Sequence, residues 1–409
     1  MSSARPVGPV FFPLGEELAL LPKHFSPYLH QCIVRLGTLL PFEQVPSLLH
    51  FLTGVHVSKE TVRRLTEEAG AAQVAIEQQD LEELERTCPA EPAGPPVQQI
   101  SADGAMVSLV HGVWVEARTL AIGTIEQRTN RDGEQEAHCT DLSYLSRLCS
   151  ADAFIRLATL PTHERGTRQA GTVVAVMDGA SWLQDLIDEQ RPDAVRILDF
   201  PHAVEYLAKA AQAAFGPGTR EASVWLDEWA PKLKKEDPAA VMDALRRLPA
   251  PDAEAAKVRG IALRYLRQRR DQVDYASFHE RGYPLGSGIA ESACKLVVEG
   301  RLKGSGMHWA RANVSPMLAL RGIACSDHWE ASWSRICSSL RTQVLAQRHA
   351  RRQDRQPAPA LVPSTSLPPS PPAADQPKRV VDGHPTDDHP WNDSRPFPNA
   401  WAWAPAATL

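Results

Sequence analysis

The chain has 409 residues, 43% of them hydrophobic and 23% charged, which suits a soluble globular protein of two or three domains. No run approaches the ~18 consecutive apolar residues of a membrane helix, and Met1 to Gly15 lack a secretion signal, so a cytoplasmic location is expected. The net charge of -5 excludes a uniformly basic nucleic-acid binder, yet residues 281–355 hold 12 Lys and Arg against 5 Asp and Glu, or +7, leaving -12 elsewhere.

In chain order, Phe42, Val45, Leu48, Leu49 and Leu52 recur at helical spacing before Gly54 breaks the pattern. Ser58 is placed to cap a second helix, Lys59 to Ala69, with Val62 and Leu65 inward and Lys59, Thr61, Arg63 and Arg64 outward. Helix, glycine turn and basic helix is a helix-turn-helix pattern, which suits DNA because a helix fits the major groove; ordinary core hairpins share it. A Glu- and Gln-rich helix continues to Thr87, and the Pro-rich stretch from Cys88 to Val97 marks a boundary, giving a helical region over 1–90.

Three strand-like runs follow, Asp103–Val110, Val113–Ile122 and His138–Tyr144, with His111-Gly112 as a tight turn. A helix near Ala151–Leu160, a buried strand Thr172–Met177, a helix Trp182–Asp188 and a strand Ala194–Leu198 complete an α/β domain over 97–340. Residues 203–280 read as an all-helical insertion jointed near Pro217, Pro238 and Pro249. Residues 351–409 hold 13 of the 34 prolines and no sustained periodicity, and are expected to be disordered. The seven cysteines, with no CxxC pair, are expected to be buried or inert thiols rather than a disulfide framework or zinc ribbon.

Three carboxylates stand out. Asp103 lies in a strand before Gly104, Asp178 closes VVAVMD before Gly179, and Glu291 sits on a short helix opened by LGSG. A strand-end acid is held rigidly yet faces the crevice where α/β sheets bind ligands. The plainer readings are a helix cap for Asp178 and a surface pair with Lys295 for Glu291. Together the acids suit hard Mg²⁺ ions, two of which serve phosphoryl transfer. Asp199 and His202, three apart at a helix start, fit a cap and a core histidine equally well.

These blocks resemble the insertion-sequence transposases of the Kra group, in the acid-triad superfamily with a ribonuclease-H-like fold. PLGSGIAESACKLVVEGRLKGSGMHW, from Pro284 to Trp309, is similar to that family's signature almost throughout. VVAVMDGASWLQDL and DAVRILDFPHAVEYL resemble its second acid, the following tryptophan and a D-x-x-H element; SADGAMV, GVWVEARTLAIG and TGVHVSKETVRRLTEEAG are similar to earlier blocks. The resemblance covers roughly residues 12 to 325.

The resemblance implies a ribonuclease-H-like catalytic core interrupted by the helical insertion and preceded by a helix-turn-helix domain. It makes Asp103, Asp178 and Glu291 the catalytic triad that binds two Mg²⁺ ions, with Mn²⁺ as a substitute, and gives Asp199 and His202 a supporting role. It implies DNA contacts by Lys59, Arg63 and Arg64 and, along the third block, by Lys295, Arg301, Lys303, His308 and Arg311. Trp182 and Trp309 are candidates to stack on an unpaired base or to serve as core aromatics.

The implied activity is metal-dependent 3′-end cleavage and strand transfer on terminal inverted repeats and target DNA, with no covalent enzyme intermediate. The implied partners are DNA and further copies of the chain, in the bacterial cytoplasm at the nucleoid. Three departures stand out: no cysteine precedes Cys32, His308 stands where arginine is common, and the Pro-rich tail lies outside the resemblance. Two other readings follow from the same residues. One is a catalytically inactive DNA-binding relic or repressor; the other, a glycosidase with paired carboxylates, needs an aromatic-lined sugar cleft.

Overall fold

The computed structural model describes residues 25–129, 133, 135–353, 380–381 and 384–385. The expected proline-rich tail falls almost wholly outside the described residues, as do residues 12–24 at the start of the resemblance. The chain up to Arg351 forms one compact unit and the residues from Arg352 a second. In the latter, Val380–Val381 pairs with His384–Pro385. No helix among the described residues is long and apolar enough to cross a membrane.

Three helices open the compact unit: α1 (Pro27–Leu39), α2 (Val45–Thr53) and α3 (Lys59–Thr87). Gly54 ends α2 in the left-handed region at φ 72°. Ser58 caps α3 by accepting the Thr61 N–H at 3.1 Å, as the sequence predicts. Two expectations fail here. Leu52, counted with the helical apolar repeat, is exposed, and the two stretches read as Lys59–Ala69 and its continuation to Thr87 form one unbroken helix of 29 residues through Gly70. At Gly70 a Cβ would lie 2.5 Å from the Pro316 carbonyl oxygen, so the glycine admits a neighbouring helix instead of breaking its own.

A single five-stranded sheet follows, built from β1 (Val97–Ser108), β2 (Trp114–Thr129), β3 (Gln135–Arg147), β4 (Thr172–Met177) and β5 (Val195–Leu198). The order is β3-β2-β1-β4-β5; β1 is antiparallel to β2 and parallel to β4, which is parallel to β5. This is a mixed α/β architecture. The turn residues His111 and Gly112 both adopt positive φ, 68° and 75°, which gives a tight β1–β2 turn.

Two helices, α4 (Ala151–Glu164) and α5 (Ser181–Gln190), cover one face of the sheet through Phe154, Leu183, Leu186 and Ile187. The opposite face meets the expected helical stretch: α6 (Phe200–Phe215), α7 (Arg220–Lys235), α8 (Pro238–Arg247), α9 (Ala253–Gln268) and α10 (Tyr275–Glu280). Val174, Val176 and Ile197 of the sheet pack there with Leu207, Leu233, Leu245 and Leu266. Next come the short α11 (Gly288–Ala293), a wide π-helical segment Cys294–Glu299, then α12 (Arg311–Cys325) and α13 (Trp329–Gln353).

The expected division near residues 90–97 does not separate compact units. Ile33, Val62, Leu65 and Ala69 of α1 and α3 share one apolar cluster with Leu320 of α12 and with Trp329, Trp333 and Ile336 of α13. Buried apolar area, not chain order, defines the unit. The cysteines divide similarly: Cys294 and Cys337 are buried, whereas Cys88 is exposed.

Candidate active site

Strand register brings the acids together. Val97 faces Thr172 and Ile100 faces Ala175 across the parallel β1–β4 pair, an offset of 75 residues, which continued along the strands carries Asp103 to Asp178. Across β4–β5, Val174 faces Val195 and Met177 faces Leu198, an offset of 21, which carries Asp178 to Asp199. The Asp199 N–H bonded to the Met177 carbonyl at 2.8 Å extends that ladder. Parallel partners in register point to the same face, and neighbouring strands lie ~4.8 Å apart. Asp103, Asp178 and Asp199 therefore form a row at one level of the sheet, on the face covered by the helical stretch.

Each aspartate holds the backbone around it. One Asp103 oxygen accepts the Gly104 N–H at 2.7 Å, and one Asp178 oxygen accepts the Ala180 N–H at 2.8 Å before α5. That bond goes to the residue before α5, a helix with no side-chain cap, so Asp178 steadies the turn and does not cap the helix as the plainer reading expected. Asp199, 8% exposed, is more committed. One of its oxygens accepts the His202 N–H at 3.0 Å and caps α6; the other accepts the backbone N–H and hydroxyl of Ser287 at 2.7 and 3.0 Å. Ser287 immediately precedes α11, which carries Glu291, so Asp199 ties the start of that helix to the sheet. His202 presents its ring edge-on to Tyr206 and Tyr265, with centroids 5.5 and 6.0 Å away.

Burial holds the Asp103 carboxyl above the usual carboxylate range, reinforced by the negative charges of Asp178, Glu116 and Glu291 and opposed by the Gly104 N–H. Like charges held together in a half-buried place favour a cation. Oxygen donors of this kind match Mg²⁺ or Mn²⁺ in chemistry. The arrangement is incomplete as it stands: among the described residues no three of His, Cys, Asp or Glu converge closely enough to hold a metal ion. Glu291 is 64% exposed and pairs with Lys295, itself 65% exposed, at 2.5 Å. A pair this exposed at i, i+4 is screened by solvent and is a weak restraint on the glutamate.

The basic residues divide into three groups. Arg301 is a correction to the sequence reading: it is 2% exposed, donates Nε and a terminal nitrogen to the Gly37 carbonyl at 3.1 Å, and lies over the Phe42 and Trp309 rings at 4.6 and 5.1 Å. It faces no solvent and joins the third block to α1. Trp309 likewise is core, donating its indole N–H to the Leu302 carbonyl at 3.2 Å. Trp182 packs edge-on against Phe154, with the Arg118 guanidinium 5.4 Å from its ring centre.

Lys303 is exposed and paired with Glu299 at 2.6 Å, and Lys295 is paired as described. The exposed His308 bonds through Nδ1 to the Ser108 hydroxyl at 2.9 Å, and exposed Arg311 opens α12. His308 and Arg311 flank Trp309, whose backbone bonds to Ser108 and Val110 at 3.0 Å, so this end of the third block is fastened to β1.

On α3, Arg63 is bound by Glu60 and Glu67 at 2.5 Å each, and Arg64 by Glu68 at 3.3 Å. Lys59 stands exposed at the helix start.

Four site neighbours escaped the sequence reading. Tyr265 donates its hydroxyl to the Asp178 carbonyl, and Arg269 donates to the Gly179 carbonyl at 2.7 Å. Tyr206 stacks on Tyr265 at 3.9 Å, and Ser287 bonds Asp199. Ser287 lay within the noted LGSG element and Tyr206 within the DAVRILDFPHAVEYL block, though neither was singled out; Tyr265 and Arg269 have no local pattern to mark them. Compared with models of known families and with curated proteins, the chain matches none.

Proposed function

We propose that the protein is a DNA transposase, cutting the 3′ ends of an insertion sequence and joining them to target DNA on a ribonuclease-H-like core. The observation that carries this reading is the row of Asp103 and Asp178 at one level of adjacent parallel strands, with Glu291 near enough to raise the Asp103 pKa. The mixed sheet interrupted after β5 by a helical insertion supports the ribonuclease-H-like part of it.

Asp103, Asp178 and Glu291 would hold the divalent ions, which would supply activation of the attacking oxygen and charge stabilisation of the leaving one. Asp199 keeps the start of α11 beside the acids through Ser287. His308 and Arg311, with Lys295 and Lys303 once released from their carboxylates, take backbone phosphates. The α2–α3 pair with Lys59 contributes DNA contacts, and pairing of two element ends calls for at least two copies of the chain in the nucleoid.

A second reading, an inactive DNA-binding relic, is favoured by the engagement of Glu291 with Lys295. Cleavage of a labelled duplex taken from the DNA flanking the gene, with Mg²⁺ or Mn²⁺, tests both. Metal-dependent 3′-end nicking that Asp103→Asn and Glu291→Gln abolish, with DNA binding retained, is the expected result. Binding without cleavage by the wild type leaves the relic.

A further inference from the structure

We propose that Tyr265 of α9 and Arg269, the residue that ends that helix, are positioning residues for Asp178, so that the helical insertion sets the aim of the second acid. This rests on the metal-site reading above. At the end of β4 the chain turns sharply: Gly179 has φ 84°, and a Cβ there would lie 2.5 Å from Arg269 Nε and 2.8 Å from the Tyr265 hydroxyl. Both side chains therefore press directly on the turn.

They also bond to it. The Tyr265 hydroxyl donates to the carbonyl of Asp178 itself, and the Arg269 guanidinium donates to the next carbonyl, that of Gly179, at 2.7 Å. Two consecutive carbonyls beyond the last sheet residue thus find partners on one helix, 87 and 90 residues further along the chain. Holding the two peptide planes that follow Asp178 restrains the backbone from which its carboxylate projects, as groups behind a metal ligand do.

The clamp is itself held rigid. The Tyr206 ring stacks on Tyr265 with centroids 3.9 Å apart and planes 10° apart, and the Arg269 guanidinium sits 4.0 Å from the Tyr265 ring centre. Arg269, at the end of α9, also donates to the Tyr265 carbonyl at 3.3 Å, which ties the two residues together. A helix packed on the sheet only for burial needs neither the hydroxyl nor the guanidinium; Ala262 and Leu266 of α9 already serve that packing.

Tyr265→Phe removes one hydrogen bond and keeps the stack. Arg269→Met removes the other, and Arg269→Lys restores a charge without the fork. The measurements are Mn²⁺ binding to the full chain by electron paramagnetic resonance, DNA binding, cleavage of the flanking-DNA duplex and the thermal midpoint, with Asp103→Asn as the reference variant.

Groups that orient a metal ligand typically govern affinity by 10–100-fold. The expected result is Mn²⁺ binding and cleavage weakened at least about tenfold in Tyr265→Phe and Arg269→Met. Arg269→Lys should be intermediate, with DNA affinity unchanged. Wild-type Mn²⁺ affinity in both variants, while Asp103→Asn loses it, overturns the clamp alone. Absence of any wild-type Mn²⁺ binding that Asp103→Asn removes overturns the metal-site reading and the clamp with it.

Discussion

Arg301→Met distinguishes a buried tie from a phosphate contact. The Gly37 carbonyl that Arg301 holds belongs to the last turn of α1, where no helical N–H remains to bond it. Hydrogen bonds to a charged group contribute about 1.5–3 kcal/mol, and each aromatic face under the guanidinium about 0.5–1 kcal/mol more. Burial works against the ion, and with Arg321 nearby it lowers the Arg301 pKa to about 10. Methionine recovers that desolvation but leaves the carbonyl alone, so the expected net loss is about 2 kcal/mol. Urea unfolding of wild type and variant at pH 7 reads it as a lower midpoint. The salt dependence of DNA binding by the folded variant should stay unchanged, because no phosphate contact is removed. An unchanged midpoint with the salt slope reduced by about one unit would refute the buried role and return Arg301 to the DNA surface.

His30 offers a pH test. It is 2% exposed with both ring nitrogens unpartnered, and burial lowers its pKa to about 4. The unfolded chain takes up a proton near 6.5, so stability is fully present above that pH and is lost as the pH falls towards 4, by up to about 3 kcal/mol. His30→Leu should flatten this part of the stability profile between pH 7 and pH 4.5; parallel profiles for the two proteins would contradict it. Lys295→Gln removes the partner of Glu291 and, the pair being exposed and screened, should leave the thermal midpoint unchanged. If Glu291 completes the metal site, this variant should bind Mn²⁺ at least as well as the wild type, and weaker binding would place Lys295 within the site.

The fold was legible wherever periodicity and turn chemistry agreed. Thr172–Met177 was expected as a strand with the ends it has, because six apolar or β-branched residues stop at an acid and a glycine. The β1–β2 turn was legible in His111-Gly112. The start of β1 was hidden because Gln98, Gln99 and Ser101 look like a polar loop, although all three are buried. Gln98 bonds to Thr167 at 2.8 Å and Gln99 to Ser101 at 3.1 Å, partners that no local pattern shows. Arg301 was misplaced for the same reason: a basic residue in a basic stretch reads as surface until the two rings and the carbonyl that surround it are known.

The site itself was legible in kind but not in arrangement. Acids at strand ends can be recognised one at a time, but that Asp103, Asp178 and Asp199 share a level depends on the β1–β4 and β4–β5 registers, which no single segment encodes. The register also assigns them unequal tasks. Asp199 spends both oxygens on backbone and side-chain donors from α6 and Ser287, which makes it a strut. Asp103 and Asp178 each accept one backbone N–H from close by in the chain and keep capacity to accept more. Glu291 is held least, by one exposed ion pair on a short helix. In the proposed metal site two acids are set by the sheet and the third by a lightly held helix; burial is the main cause of the raised Asp103 pKa, and a bound cation would offset the smaller part that comes from Asp178, Glu116 and Glu291.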